Sequence, residues 1–169
     1  MFGDLQKSRT IAYSAAFIGL ISLGAWVSIP FFPVPLTLQT LFVFLAGAVM
    51  KRYAVIPVSL YVLLGALGLP VFHTGVTGLG ILLGPTGGYL IGFICAALVV
   101  GLAYERESET IRITGLIVAT VLIYVCGVAW LMYSLTIGLT PAVISGMLPF
   151  IPGDVIKVYA AYRIAKRLP

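Results

Sequence analysis

Charged residues are scarce in this sequence: Asp, Glu, Lys and Arg make up 9% of its 169 residues. A soluble domain carries roughly 25% charged residues, and this chain falls far short of that. Asparagine is absent, histidine occurs once, at His73, and the only amide side chain away from the N-terminus is Gln39. Cysteine is limited to Cys95 and Cys126, each inside an apolar run. There they read as small core residues rather than a disulfide, and no zinc-like spacing exists, so no metal site is expected. A phosphate-binding loop is also missing. The glycine-rich segment 78–88 lacks the required lysine and spacing. Alternation of apolar and polar residues is absent too, which argues against a membrane barrel.

What remains is apolar. Hydrophobic residues make up 61% of the chain, and mean hydropathy is +1.15. A helix needs about 20 apolar residues to cross a bilayer, and backbone groups in lipid must be satisfied within the element. The expectation is therefore an all-α integral membrane protein forming one domain over 1–169, with the lipid bilayer as its solvent. Six transmembrane helices are expected, at about 10–29, 38–50, 54–69, 86–103, 113–135 and 153–166. The first run follows Lys7 and Arg9, as in a signal peptide. It is too long for a signal core and reads as a span.

The charges sort along these spans. With N- and C-termini cytoplasmic, the outer loops 30–37, 70–85 and 136–142 contain no Lys or Arg. Lys7, Arg9, Lys51, Arg52, Arg106, Arg112, Arg163, Lys166 and Arg167 all fall inside, leaving Lys157 as the one exception. That pattern is the positive-inside rule. It accounts for the net charge of +5 without invoking nucleic acid.

Asp154 and Lys157 break the sorting near the outer start of the last span. Three residues apart on a helix, they share one face, with Lys157 about 4.5 Å deeper. A charge within the bilayer costs roughly 2.5 kcal/mol or more, so such residues face a partner or a cavity. Two readings are open and compatible: a mutual ion pair locking the helix start, and a site for a polar ligand. The free N–H groups at that helix start and the Lys157 ammonium favour a carboxylate. Asp154 would accept N–H donors. Gln39, in a Thr37/Gln39/Thr40 cluster, reads either as a helix-start packing residue or as a donor–acceptor pair for a urea or lactam edge.

His73 reads either as a plain outer-loop residue or as a ligand contact. Gly87, Gly88 and Gly92 read either as helix-contact glycines or as backbone brought close to a ligand, and Tyr89 as a pocket wall. Ala12 and Ala16, four apart on span one, let another helix approach closely, within this chain or from a separate membrane protein.

Taken together, Gly68-Leu69-Pro70-Val71-Phe72, Gly84-Pro85-Thr86-Gly87-Gly88-Tyr89 and Pro149-Phe150-Ile151-Pro152-Gly153-Asp154, with Lys157, resemble the BioY family. Those are biotin-specific substrate-binding subunits. The Pro35–Thr40 stretch is similar as well, and the likeness runs through almost the whole chain in order. The resemblance implies an S-component-like bundle in the cell membrane, for high-affinity biotin uptake with no cofactor and no enzymatic activity. It also implies partners: a transmembrane coupling subunit and ABC-type ATPase subunits. Asp154 and Lys157 become biotin contacts, and Ala12/Ala16 the docking motif. The chain has no asparagine, which some relatives carry in the outer loop. Gln39, Thr86 or backbone groups would then meet the ureido ring. Rival readings are an S-component for another vitamin and a small membrane enzyme, which would need more than one histidine and one Asp/Lys pair.

Overall fold

The computed structural model describes residues 2–168, with side chains from Leu5 onward; Met1 and Pro169 lie outside it. Among the described residues, four helical stretches are long and apolar enough to cross a membrane: Gln39–Ala66, Gly87–Tyr104, Glu109–Leu135 and Leu139–Ala165. The first is not one rod. It comprises α2 (Gln39–Met50), a 3-10 turn at Lys51–Ala54 and α3 (Val55–Ala66). Gln39 and Tyr61 would sit about 33 Å apart on a straight helix. Instead their side chains are 2.6 Å apart, so the chain doubles back at the turn. Lys51 takes φ 55 there.

Helix α1 (Phe2–Trp26) precedes this hairpin. After it come the short α4 (Leu79–Leu83), α5 (Gly87–Tyr104) and α6 (Glu109–Leu135). The last stretch breaks at Met147 into α7 (Leu139–Gly146) and, past a 3-10 turn, α8 (Ile151–Ala165).

Each boundary that differs from the sequence expectation has a local cause. α1 stops at Trp26 because Ser28–Ile29 (β1) pairs antiparallel with Leu36–Thr37 (β2), Ser28 opposite Thr37. α3 ends at Ala66, short of residue 69. Gly68 at φ 105 turns the chain there, a conformation favoured by glycine. α6 starts at Glu109 rather than 113. The Ser108 hydroxyl caps it by accepting the Ile111 N–H at 3.5 Å, and Glu109 suits the positive helix start. The short helix α4 falls inside the expected outer loop 70–85, and α7 starts in the expected loop 136–142 and runs past it.

α5 and α6 form the central pair, and α2 joins α5 to α1 and α8. Apolar residues occur inside and outside alike. Val43, Phe44, Val58, Val100 and Leu116 are fully buried, while Leu63, Leu102, Val121 and Val125 are exposed. In lipid, burial of apolar area does not distinguish helix contact from helix–lipid contact; close packing does. Small residues accordingly sit at the crossings. Gly101 lies against the Lys51 carbonyl, and Gly115 against Ala103.

Candidate ligand chamber

The starts of α2, α5 and α8 gather at one end of the bundle around a chamber. Its free space, open mouth included, is about 580 Å³, and the enclosed part is much smaller. Asp154 lies in the first turn of α8 and is 6% exposed. Lys157 donates to its Oδ1 at 2.8 Å, and the Tyr124 hydroxyl donates to its Oδ2 at 2.5 Å. A carboxylate removed from water is tolerable when both oxygens are occupied by such donors. Asp154 and Lys157 thus form an ion pair and also line the chamber.

Across the chamber, Gln39 is oriented by a chain of hydrogen bonds. Thr37 Oγ1 donates to Gln39 Oε1 at 2.9 Å, and Gln39 Nε2 donates to Tyr61 Oη at 2.6 Å. Tyr61 Oη donates in turn to the Val71 carbonyl at 3.1 Å. This leaves one amide N–H of Gln39 uncommitted. The fully buried Phe72 meets Tyr61 edge to face, with ring centroids 5.6 Å apart. Phe93 and Phe150 complete the aromatic lining.

Tyr89 is a wall, as the sequence suggested, but its hydroxyl is already used. It donates to the Gly146 carbonyl at 2.7 Å, and the ring lies flush on Gly127, where a Cβ would collide with it. Thr86 and His73 also line the chamber. Burial pushes the His73 imidazole below its ordinary pKa, which favours the neutral ring.

Gly87 is not on the chamber wall. It backs onto α4, packed so closely that an added Cβ would strike the Leu82 carbonyl. Ala12 and Ala16 lie outside the chamber, on an exposed face of α1.

Sequence reasoning missed Tyr124, which completes the Asp154 carboxylate, and Tyr61, which holds Gln39. A signal was available for both. A phenol in the middle of an apolar run must find a hydrogen-bond partner or stay unsatisfied in hydrocarbon. Choosing among the nine tyrosines requires the fold.

Apolar helices of membrane-crossing length, packed around a chamber lined by a buried ion pair and a fixed amide, define a polytopic membrane protein. The chain belongs to the BioY family, whose model matches residues 3–169. A biotin transporter BioY of Thermotoga maritima is 44% identical over 162 residues, 95% of each chain. A probable biotin transporter BioY of Pyrococcus horikoshii is 40% identical, over 96% of this chain and 98% of that one. The crystal structure of the S-component for biotin from an ECF-type ABC transporter superposes with a TM-score of 0.85 at 30% identity. That match covers 96% of this chain and 91% of the other.

Proposed function

We propose that this chain captures biotin for uptake across the cell membrane, as the S-component of an energy-coupling-factor transporter. The observation that carries the reading is the Asp154–Lys157 pair, buried yet lining a chamber that also presents Gln39. Biotin has a carboxylate, a ureido ring with two N–H donors and one acceptor, and an apolar body. In this reading its carboxylate pairs with Lys157. Its ureido edge meets Asp154 or Gln39, and its body lies on Phe72, Tyr89 and Phe93. His73 and Thr86 complete the contacts. The internal pairing of Asp154 with Lys157 and Tyr124 keeps the empty site satisfied until ligand competes for the same atoms.

The membrane arrangement belongs to the same proposal. α1, α2, α3, α5, α6 and α8 make six crossings, with N- and C-termini cytoplasmic and the chamber near the outer face. The free backbone at the doubled-back Lys51–Ala54 turn then lies at the inner surface, where its charges are solvated. Ala12 and Ala16, exposed on α1 beside the equally open Gly19, present a small-residue face. A transmembrane coupling subunit would dock there and bring ABC-type ATPase subunits, which supply the energy this chain has no motif to harvest.

The test is equilibrium binding of labelled biotin to purified protein in detergent, against thiamin, riboflavin and folate. Saturable biotin binding that the other three do not displace is expected. Displacement by one of them would reassign the chamber to another vitamin, and no binding at all would reject the reading.

A further inference from the structure

The other end of the bundle holds a second and larger hollow, between α1 and α8. Ala48 and Val49 of α2 form its floor, Tyr162 and Ala165 of α8 one wall, and Phe17 and Leu20 of α1 the other, together with Ala16, which also belongs to the docking face proposed above. Its free space, open mouth included, is about 1560 Å³. Its lining is mainly apolar but includes the phenols of Tyr13, Tyr104 and Tyr162, and Lys51, Arg112, Lys166, Glu107 and Glu109 gather at the helix ends that form its mouth.

The mouth charges are not equivalent. Lys166 is committed to Glu109 at 3.1 Å. Among the described residues, no carboxylate lies within salt-bridge distance of Lys51 or Arg112. Arg112 is nevertheless held in place. Its Nε donates to the Arg106 carbonyl at 2.9 Å, and its guanidinium lies 5.4 Å over the Tyr104 ring. The other guanidinium N–H groups remain uncommitted. Lys51 projects from a turn residue at φ 55, a left-handed conformation that a non-glycine residue adopts only when its surroundings enforce it. Uncommitted charge at the mouth is therefore two positive groups, Lys51 and Arg112, against one negative, Glu107.

A mainly apolar slot bordered by two cations, of which Arg112 is held in place, matches an amphiphile with an acyl chain and a phosphate. Water in the slot would contact an apolar floor, whereas a lipid tail replaces that contact with hydrocarbon. Basic pockets between membrane helices on the cytoplasmic side are suited to phosphate headgroups.

We propose that this hollow is a seat for one inner-leaflet phospholipid. Its phosphodiester sits on Lys51 and Arg112, and one acyl chain lies along α2 between α1 and α8. The leaflet assignment rests on the orientation proposed above; the site itself does not depend on biotin.

Native mass spectrometry of the full chain in detergent tests this, titrating phosphatidylglycerol, diacylglycerol and inorganic phosphate separately. A saturable phosphatidylglycerol adduct is expected, with none from diacylglycerol and no displacement by phosphate. Lys51→Gln and Arg112→Gln should each weaken the adduct about fivefold, the effect of one basic group at an anionic surface. Ala48→Trp, which fills the floor, should abolish it, while Lys7→Gln/Arg9→Gln should leave it unchanged. Undiminished adduct in the Lys51/Arg112 double variant overturns the proposal. So does an equal diacylglycerol adduct, or displacement by phosphate, which would mark a site for a soluble anion. Biotin binding is measured on the same samples. The double variant should bind biotin normally, which reports that it is folded; if it is not, the Ala48→Trp result decides. Wild-type protein that holds lipid but not biotin would reject the transport reading and leave the lipid seat standing.

Discussion

The two ends of this bundle use the same ion-pair chemistry in opposite settings. At the chamber end, Asp154 and Lys157 meet at 2.8 Å with side chains 9% and 11% exposed. At the other end, Arg52 and Glu105 meet at 2.6 Å, and Lys166 and Glu109 at 3.1 Å, with both lysine and arginine side chains more than half exposed. Exposed pairs are screened by water and add little stability. A buried pair is different, because removing one partner strands the other charge away from water. The comparison teaches that, among the described residues, only the chamber end holds charge whose removal the fold must feel.

The strongest way to break that contrast is Lys157→Ala. It leaves Asp154 buried with Tyr124 alone, and stranding one partner of a buried pair costs about 3–5 kcal/mol. A large drop in melting temperature in detergent and a biotin affinity reduced well over tenfold are expected. The double change Asp154→Asn/Lys157→Met sharpens the point, since neutralising both partners should recover much of the stability and none of the biotin binding.

Next in size is Tyr124→Phe. A hydrogen bond to a charged group contributes about 1.5–3 kcal/mol, so biotin affinity should fall roughly tenfold or more while the fold persists. An unchanged binding isotherm would show that Tyr124 does not orient the Asp154 carboxylate for the ligand.

Gly127→Ala is expected to have an intermediate effect. A Cβ there collides with the Tyr89 ring, and overpacking of this kind costs roughly 1–3 kcal/mol. Lower thermal stability and weaker biotin binding should appear together, because Tyr89 is a chamber wall. Loss of stability without any change in binding would remove Tyr89 from the site.

The smallest effect belongs to the exposed end. The Arg52 guanidinium, hydrogen-bonded to Glu105, pulls that carboxyl down to about 2. Its folded-state pKa lies below its ordinary value. The pair's contribution is therefore present above the ordinary carboxylate range and fades as pH falls toward 2. Glu105→Gln should leave biotin binding and neutral-pH stability nearly unchanged and flatten only that acid-side dependence, measured by thermal unfolding from pH 6 to 3. A loss of stability at neutral pH comparable to that of Lys157→Ala would erase the distinction between the ends.

The sequence alone determined that this chain lives in lipid, where its apolar runs lie, and that Asp154 and Lys157 are out of place among them. Those conclusions are local: they follow from composition, from the length an apolar helix needs, and from the cost of charge in hydrocarbon. Its BioY resemblance was legible for a similar reason, since motifs at Gly84–Tyr89 and Pro149–Lys157 are contiguous in the chain. Only the tertiary structure decided that Tyr124, thirty residues before Asp154, completes its carboxylate, that Tyr61 fixes Gln39 across a reversed turn, and that Gly87 packs against α4. It also decided that Lys51 and Arg112, far apart in the chain, share the mouth of one groove. Hydropathy is a property of single residues and their near neighbours, whereas a partner for a buried phenol or a floor for a slot is chosen by which helices cross, and at what height.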